Sequence, residues 1–294
     1  MSPIVVFDGD MLAYKAAFST ETEADMGTPG QPKWFACEDR PRAREAFDEM
    51  LLEITGAVGS TPDQAVLCFT SKSMWRRNLW PEYKVSRKGT RSPIGLRDFK
   101  RELLERENSF MYDNIEADDL MGLFATMDER EVIIASGDKD LLQIPGKHVW
   151  MNPPTVESRE RLYKSEEAGR LIEDLGNGHV LQTTTPEWSE EFFYIQTITG
   201  DSSDDIPGAC AGVGPVKAKN TLRKSEKAGP VGYWETVVQL FEKGQRFPNP
   251  RSAAIRNARL VRILRTGEYN FQTHEVKPWN PPTTSRPHAL SPNG

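Results

Sequence analysis

Eight carboxylates fall into four tight groups along the 294-residue chain: Asp8; Glu116, Asp118 and Asp119; Asp138 and Asp140; Asp201 and Asp204. Each group sits where a strand should end or a helix begin. Gathered into one place, so many like charges repel one another and resist desolvation unless cations neutralise them. All-oxygen ligand sets suit Mg²⁺ or Mn²⁺, and paired divalent ions serve phosphodiester hydrolysis. An Asp at a strand end is also a good helix N-cap, and the helix dipole favours carboxylates in a first turn. Three acids within residues 116–119 exceed what capping requires, and the groups at 138–140 and 201–204 repeat the excess.

The elements that must bring these groups together are legible in the first two-thirds of the chain. Short apolar runs at Ile4–Phe7, Ala65–Phe69 and Glu131–Ala135 read as strands, with helical spacing at Met11–Phe18, 42–58, Pro93–Glu107 and Ala117–Met127. Buried β runs alternating with helices predict a parallel sheet covered on both faces, an α/β architecture. Ligands of such sheets bind beyond the carboxyl ends of strands, where Asp8 and Asp138 fall, and Gly9 and Gly137 beside them permit sharp turns. Residues 21–36, rich in Gly, Pro and Thr, read as a loop. Residues 144–190 are irregular, with a Pro-Pro turn at 153–154, a helix at 165–175, a stop at Gly176-Asn177-Gly178 and a small hairpin or flap. From Trp188 onward the signals are helical only, near 188–199, 215–224, 231–243 and 252–265. Five prolines (Pro278, Pro281, Pro282, Pro287, Pro292) predict an extended or disordered tail.

Composition excludes several classes. No apolar run approaches the roughly 20 residues of a membrane span, and the N-terminus enters a strand without a signal-peptide pattern, so a cytoplasmic protein is expected. Cys37, Cys68 and Cys210 form no Cys-x-x-Cys, and the four histidines are scattered, which argues against zinc and disulfides. The net charge of −6 is unevenly spread. Residues 72–101 hold ten bases against two acids, 113–140 nine acids against two bases, and 217–265 twelve bases against three acids. Each block alone reads as a solvated face. Together, basic surfaces flanking metal-charged carboxylates suit a polyanionic substrate.

Three motifs, in order, carry a resemblance. They are Ile115–Asp119 with Leu120-Met121-Gly122, then Ser136-Gly137-Asp138-Lys139-Asp140, then Gly200-Asp201-Ser202-Ser203-Asp204-Asp205-Ile206-Pro207-Gly208. Over about residues 4 to 225 the chain resembles the 5′-nuclease (flap endonuclease) family, which includes the 5′-nuclease domain of bacterial DNA polymerase I. Its size resembles the standalone 5′→3′ exonucleases of tailed phages. The resemblance implies a PIN-like nuclease core over 1–187 with a helical arch near 72–107. A helical DNA-binding subdomain with a helix–three-turn–helix would follow over 188–276, and then a Pro-rich tail over 277–294. It also implies two Mg²⁺ (or Mn²⁺) ions, with Asp8, Glu116, Asp118 and Asp119 nearer one and Asp138, Asp140, Asp201 and Asp204 serving the other. One departure stands out: Thr70 follows the second strand where the family usually has Asp, and Asp10 is an extra acid that could compensate.

The same resemblance extends to substrate handling. The segment from Trp75 to Arg87 is similar to the family's Phe-Arg…Tyr-Lys-x-x-Arg pattern. Arg76 and Lys84 would meet the scissile phosphate, Arg87 and Lys88 would bind neighbouring phosphates, and Tyr83 or Trp80 would stack on a base. Trp75 reads better as a core anchor. Gly89 and Gly95 would be arch hinges. The turn Gly212-Val213-Gly214 before Pro215 is a weak signal alone. In its motif context it would hold duplex phosphates with Lys217 and Lys219, and in relatives such a turn also binds K⁺.

The leading expectation is a two-metal 5′→3′ exonuclease or structure-specific 5′-nuclease in phage DNA replication or recombination. It would act as a monomer in the host cytoplasm on duplex DNA ends, nicks, flaps and RNA primers in RNA–DNA hybrids, with no membrane involvement. Two alternatives are a structure-specific DNA-binding protein with a decayed metal site, of which Thr70 would be the symptom, and a PIN-type ribonuclease.

Overall fold

The computed structural model describes residues 2–87, 89–127, 130–151, 167–176 and 178–282. Lys88, the Pro-Pro turn at 153–154, Asn177 and the tail prolines Pro287 and Pro292 lie outside the described residues. The chain divides into two compact units: residues 1–189 with 263–277, and residues 190–262 with the segment from Pro278.

The first unit is built on a seven-stranded sheet in the order β5-β4-β1-β6-β7-β9-β8. Its parallel part comprises β1 (Ile4–Asp8), β4 (Ala65–Cys68), β5 (Ser109–Phe110), β6 (Val132–Ser136) and β7 (Gly146–Trp150). Strands β8 (Arg170–Gly176) and β9 (His179–Thr184) extend it antiparallel. Period-two alternation sends successive side chains to opposite faces. Val5, Phe7, Leu67, Ile133 and Ala135 meet α1 (Gly9–Ser19), α2 (Arg40–Ala57) and α4 (Leu96–Leu103), the short α3 (Trp75–Leu79) coming between the last two in sequence. Ile4, Val6, Cys68 and Ile134 meet α5 (Ala117–Met127) on the other side. The expected α/β fold, a parallel-dominated sheet flanked by helices, is what the chain forms.

Four local expectations need correction. Residues 21–36 are not a plain loop: β2 (Thr22–Asp25) and β3 (Trp34–Cys37) form an antiparallel ribbon. Trp34 and Phe35 there are exposed, so no buried face announced it in the sequence. Where a helix was expected at 165–175, the described residues form β8, because Leu171 and Ile172 pair with β9 rather than close a helical turn. Gly9 does not make a turn of unusual φ. It is needed because a Cβ there would lie 2.8 Å from the Cys68 carbonyl oxygen and 2.7 Å from the Phe69 ring.

The fourth correction concerns residues 263–276, expected in the helical subdomain. Residues 263–277 return to the first unit: Ile263, Leu264 and Tyr269 join the core around α5. Gly122 on α5 makes this approach feasible, since a Cβ there would stand 2.4 Å from the Leu264 carbonyl oxygen. A short hairpin, β10 (Tyr269–Asn270) and β11 (Glu275–Val276), closes the segment, although only helices were expected there.

The second unit is helical. It holds most of α6 (Pro186–Thr199), then α7 (Pro215–Leu222), α8 (Gly229–Gly244) and α9 (Pro250–Val261). Its core gathers Phe193, Tyr194, Trp234 and Phe241. The start of the expected tail is ordered here: Trp279 packs edge-on against Phe193 and Trp234, each at 5.3 Å. Arg259 donates to the Trp279 carbonyl and to the Asn280 side chain.

Candidate metal centre

Parallel register sets the site. Asp8 ends β1 opposite Cys68 of β4, while Phe7 is opposite Ala135 of β6, one residue before Ser136. The carboxyl ends of three central strands therefore open together. Asp8 caps α1, its Oδ1 accepting the Met11 N–H at 2.9 Å. Its Oδ2 lies 3.5 Å from the Ser136 hydroxyl. Ser136 also accepts the Asp138 N–H at 3.1 Å, and Asp138 in turn accepts the Asp140 N–H at 2.8 Å. Ser136 thus links the ends of β1 and β6. Its position before Gly137-Asp138 was the only signal for it in the sequence.

The carboxylates brought together are Asp8, Asp118 and Asp138. Burial, then the charges of Asp10 and Asp138, push the Asp8 carboxyl up to about 7, against the pull of the Met11 N–H and Lys100. Burial, Asp138, Asp8 and Glu116 raise the Asp118 carboxyl well above the ordinary carboxylate range, and Lys84 opposes them. Asp138 therefore acts on the same neighbourhood as Asp8 and Asp118, not on a group apart from them. Asp140 is linked through its backbone to Asp138, and its side chain pairs with Lys139 at 2.9 Å.

Glu116 and Asp119 face the other way. Arg76 grips Asp119 through two nitrogens at 2.5 and 2.7 Å and reaches Glu116 at 2.9 Å. The Trp75 indole N–H and the Leu264 N–H also point to Asp119, each at 3.3 Å. Burial would lift Glu116, yet Arg76, Lys84 and the Tyr83 hydroxyl together hold it below the usual carboxylate value. Two expectations shift as a result. Arg76 is 2 % exposed and engaged by two carboxylates, so it is placed to brace the helix start rather than to face solvent. Tyr83, 3 % exposed, directs its hydroxyl to Glu116 at 3.0 Å instead of offering a stacking face. Trp75 is the core anchor expected of it.

Lys84 sits in between. Its Nζ is 2.6 Å from Glu116 Oε1 and 4.9 Å from the Tyr83 ring centroid, and its side chain keeps some exposure. Its φ of 56° is rare for a residue with a Cβ, the kind of strain that gathers at working sites. Arg87 is exposed. Gly95, at φ 71° before α4, accepts from Arg40 on its carbonyl at 3.0 Å. Thr70, standing where an acid was expected, accepts the Ala117 N–H at 3.0 Å and so caps α5.

In the second unit, Asp201 caps a short turn and accepts the Ser203 N–H and hydroxyl at 2.8 and 2.6 Å, with Asp204 closing the same turn. The loop continues to α7. Asn257 donates to the Pro207 carbonyl and Arg246 to the Gly208 carbonyl, which fixes its course. Gly212, Gly214 and Lys217 are exposed at the start of α7, where no side chain caps the helix. Lys219 is partly covered and lies 4.0 Å from Glu191.

Among the described residues no three His, Cys, Asp or Glu side chains stand in finished ligating geometry. The donor chemistry nevertheless fits a divalent ion. Asp8, Asp118 and Asp138 offer only carboxylate oxygens, and burial together with neighbouring carboxylates raises the proton affinity of Asp8 and Asp118, as suits a site that takes up a cation. No helix among the described residues is long and apolar enough to cross a membrane.

Comparison with known proteins agrees with this geometry. A family model described as the 5′-3′ exonuclease N-terminal resolvase-like domain matches residues 3–172. The chain is 28% identical to an exodeoxyribonuclease of Enterobacteria phage T3, over 95% of the chain and 93% of that relative. It is likewise 28% identical to an exonuclease of Escherichia phage T7 over the same shares. It is 29% identical to DNA polymerase I of Chloroflexus aurantiacus, over 75% of the chain but 22% of that longer protein. The crystal structure of phage T5 D15 protein co-crystallised with metal ions shares the fold, with a TM-score of 0.55 at 15% identity over 88% of each chain. With its motifs in order, its strand ends converging on Asp8 and Asp138, and a family model covering more than half its length, the chain belongs to the 5′-3′ exonuclease family of nucleases.

Proposed function

We propose that this family member is a divalent-metal-dependent 5′→3′ nuclease that hydrolyses phosphodiesters at duplex DNA ends, nicks and flaps and removes RNA primers from hybrids. The observation that carries the reading is the convergence of Asp8, Asp118 and Asp138 from the ends of β1 and β6 and the start of α5. Their oxygens would hold Mg²⁺ or Mn²⁺. Asp140, Asp201 and Asp204 keep the metal-binding role that the motif resemblance implies. Two ions bound by such carboxylates would supply an activated water and stabilise the leaving 3′ oxygen.

The chain's own side chains do the rest. Lys84, partly exposed and paired with Glu116, can offset phosphate charge as it builds in the transition state. Arg76 holds Glu116 and Asp119 so that Asp118, in the same turn, keeps its direction. Arg87, and Lys88 beside it in sequence, would bind flanking phosphates. The uncapped amides at the start of α7, with Lys217 and Lys219, suit duplex phosphates and give contacts independent of sequence. A K⁺ ion held by the Gly212–Gly214 turn belongs to the same proposal. Support comes also from relatives named as exodeoxyribonuclease and exonuclease, and from a phage T5 D15 flap endonuclease variant described in a pseudo-enzyme–product complex with DNA and metal ions.

The test is incubation with Mg²⁺ and 5′-labelled nicked, flapped or blunt duplex. Release of short 5′-phosphorylated products is expected. Retention of all label in Mg²⁺ and in Mn²⁺ would remove the enzyme reading, and cleavage restricted to single-stranded RNA would replace it with a ribonuclease.

A further inference from the structure

Asp10 is an acid that neither the neutralised pair nor the convergent trio accounts for. It lies in the first turn of α1, two residues beyond Asp8. Its Oδ2 accepts the backbone N–H of Thr70, just past the end of β4, at 3.0 Å. Its Oδ1 is ion-paired with Lys100 of α4. These two anchors, from different elements, hold the carboxylate beside Asp8 despite the repulsion between them. Thr70 also accepts the N–H of Ala117, the residue before Asp118, so Asp10 and the start of α5 meet on one residue. Thr70 brings no charge of its own, and its hydroxyl is committed to Ala117.

A carboxylate in a first turn also gains from the helix dipole. That gain requires neither an amide just past β4 to aim the group nor a lysine from another helix to neutralise it. Both features are those of an oxygen ligand waiting with an internal counter-ion.

We propose that Asp10 is a fourth carboxylate of the divalent-cation site, aimed by the Thr70 amide in place of an acid on β4, with Lys100 as a counter-ion that the cation displaces. The inference rests on the metal-dependent reading of Asp8, Asp118 and Asp138. The lysine's partner is then exchanged on metal binding, so Lys100 and the cation compete for one group.

The experiment is Mn²⁺ binding to the DNA-free full chain, by titration calorimetry and by loss of the free-Mn²⁺ electron paramagnetic resonance signal. Asp10→Asn keeps an acceptor for the Thr70 N–H and is expected to weaken Mn²⁺ binding by about tenfold. Lys100→Met is expected to tighten it by about threefold, and to have no effect when Asp10 is already Asn. Thr70→Asp in the Asp10→Asn background is expected to restore affinity, a rescue that a helix-dipole role would not produce. Affinities within twofold of wild type for Asp10→Asn and Lys100→Met overturn the inference while leaving the metal site standing. Should Asp10→Asn fail to fold by circular dichroism, an unchanged affinity in Lys100→Met alone overturns it. Wild-type protein that binds no Mn²⁺ overturns both this inference and the reading beneath it.

Discussion

Two sides of one helical turn behave in opposite ways. Asp118 looks toward Asp8 and Asp138, and burial together with these two carboxylates makes its ionisation harder. Glu116 and Asp119, within two residues of it, look toward Arg76, Lys84, Trp75 and Tyr83 and are neutralised inside the protein. The first side is left with excess negative charge and the second with none. The lesson is that a dense acidic motif need not be uniformly a ligand set. Part of it can be the brace that keeps the remainder aimed.

Variants can break this comparison, beginning with the largest effect. Asp138→Asn should lower Mg²⁺-dependent cleavage by about three orders of magnitude, about 4 kcal/mol of transition-state stabilisation. Duplex affinity measured in Ca²⁺ should stay within a few-fold, and a fully active variant would remove Asp138 from the site. On the braced side, Asp119→Ala strands a buried guanidinium. It should cost about 3–5 kcal/mol in urea unfolding, and a loss under 1 kcal/mol would mean that Arg76 finds other partners. Tyr83→Phe removes one hydrogen bond to a charged group and should cost about 1.5–3 kcal/mol, with the Mn²⁺ affinity of the other side unchanged. The smallest effect sharpens the contrast by its sign. Asp118→Asn relieves repulsion, so the chelator-treated protein should unfold at equal or slightly higher urea, by up to about 1 kcal/mol, although cleavage is lost.

Much of this was legible in the chain. The strands at Ile4–Phe7, Ala65–Phe69 and Val132–Ala135 are continuous apolar runs, and their strand-end acids follow from the rules of open α/β sheets. Helix α5 was bounded correctly because its apolar stripe and its acidic start coincide. What could not be read was the partner of each acid. Arg76 reads as a phosphate ligand from its motif, but its burial depends on Asp119 and Glu116, more than forty residues away in the case of Asp119. The ribbon at 22–37 leaves no buried-strand signal because its aromatic residues are exposed, and β8 leaves little because apolar and polar residues do not alternate cleanly along it. Residues 263–276 read as part of the helical subdomain because nothing local says that Ile263 and Leu264 belong against α5.

That return of the chain has a consequence during synthesis. The first unit is discontinuous, its first segment ending at Ser189 and its second being residues 263–277, and Gly122 must wait for Leu264 to reach it. A ribosome has therefore to deliver residues 263–277 before the acid-bearing helix acquires its last core neighbours. A nascent chain released near residue 262 would carry every acid of the three motifs, yet the Leu264 amide that supports Asp119 would be missing. The acidic site is thus completed late in synthesis, by the chain's own C-terminal return.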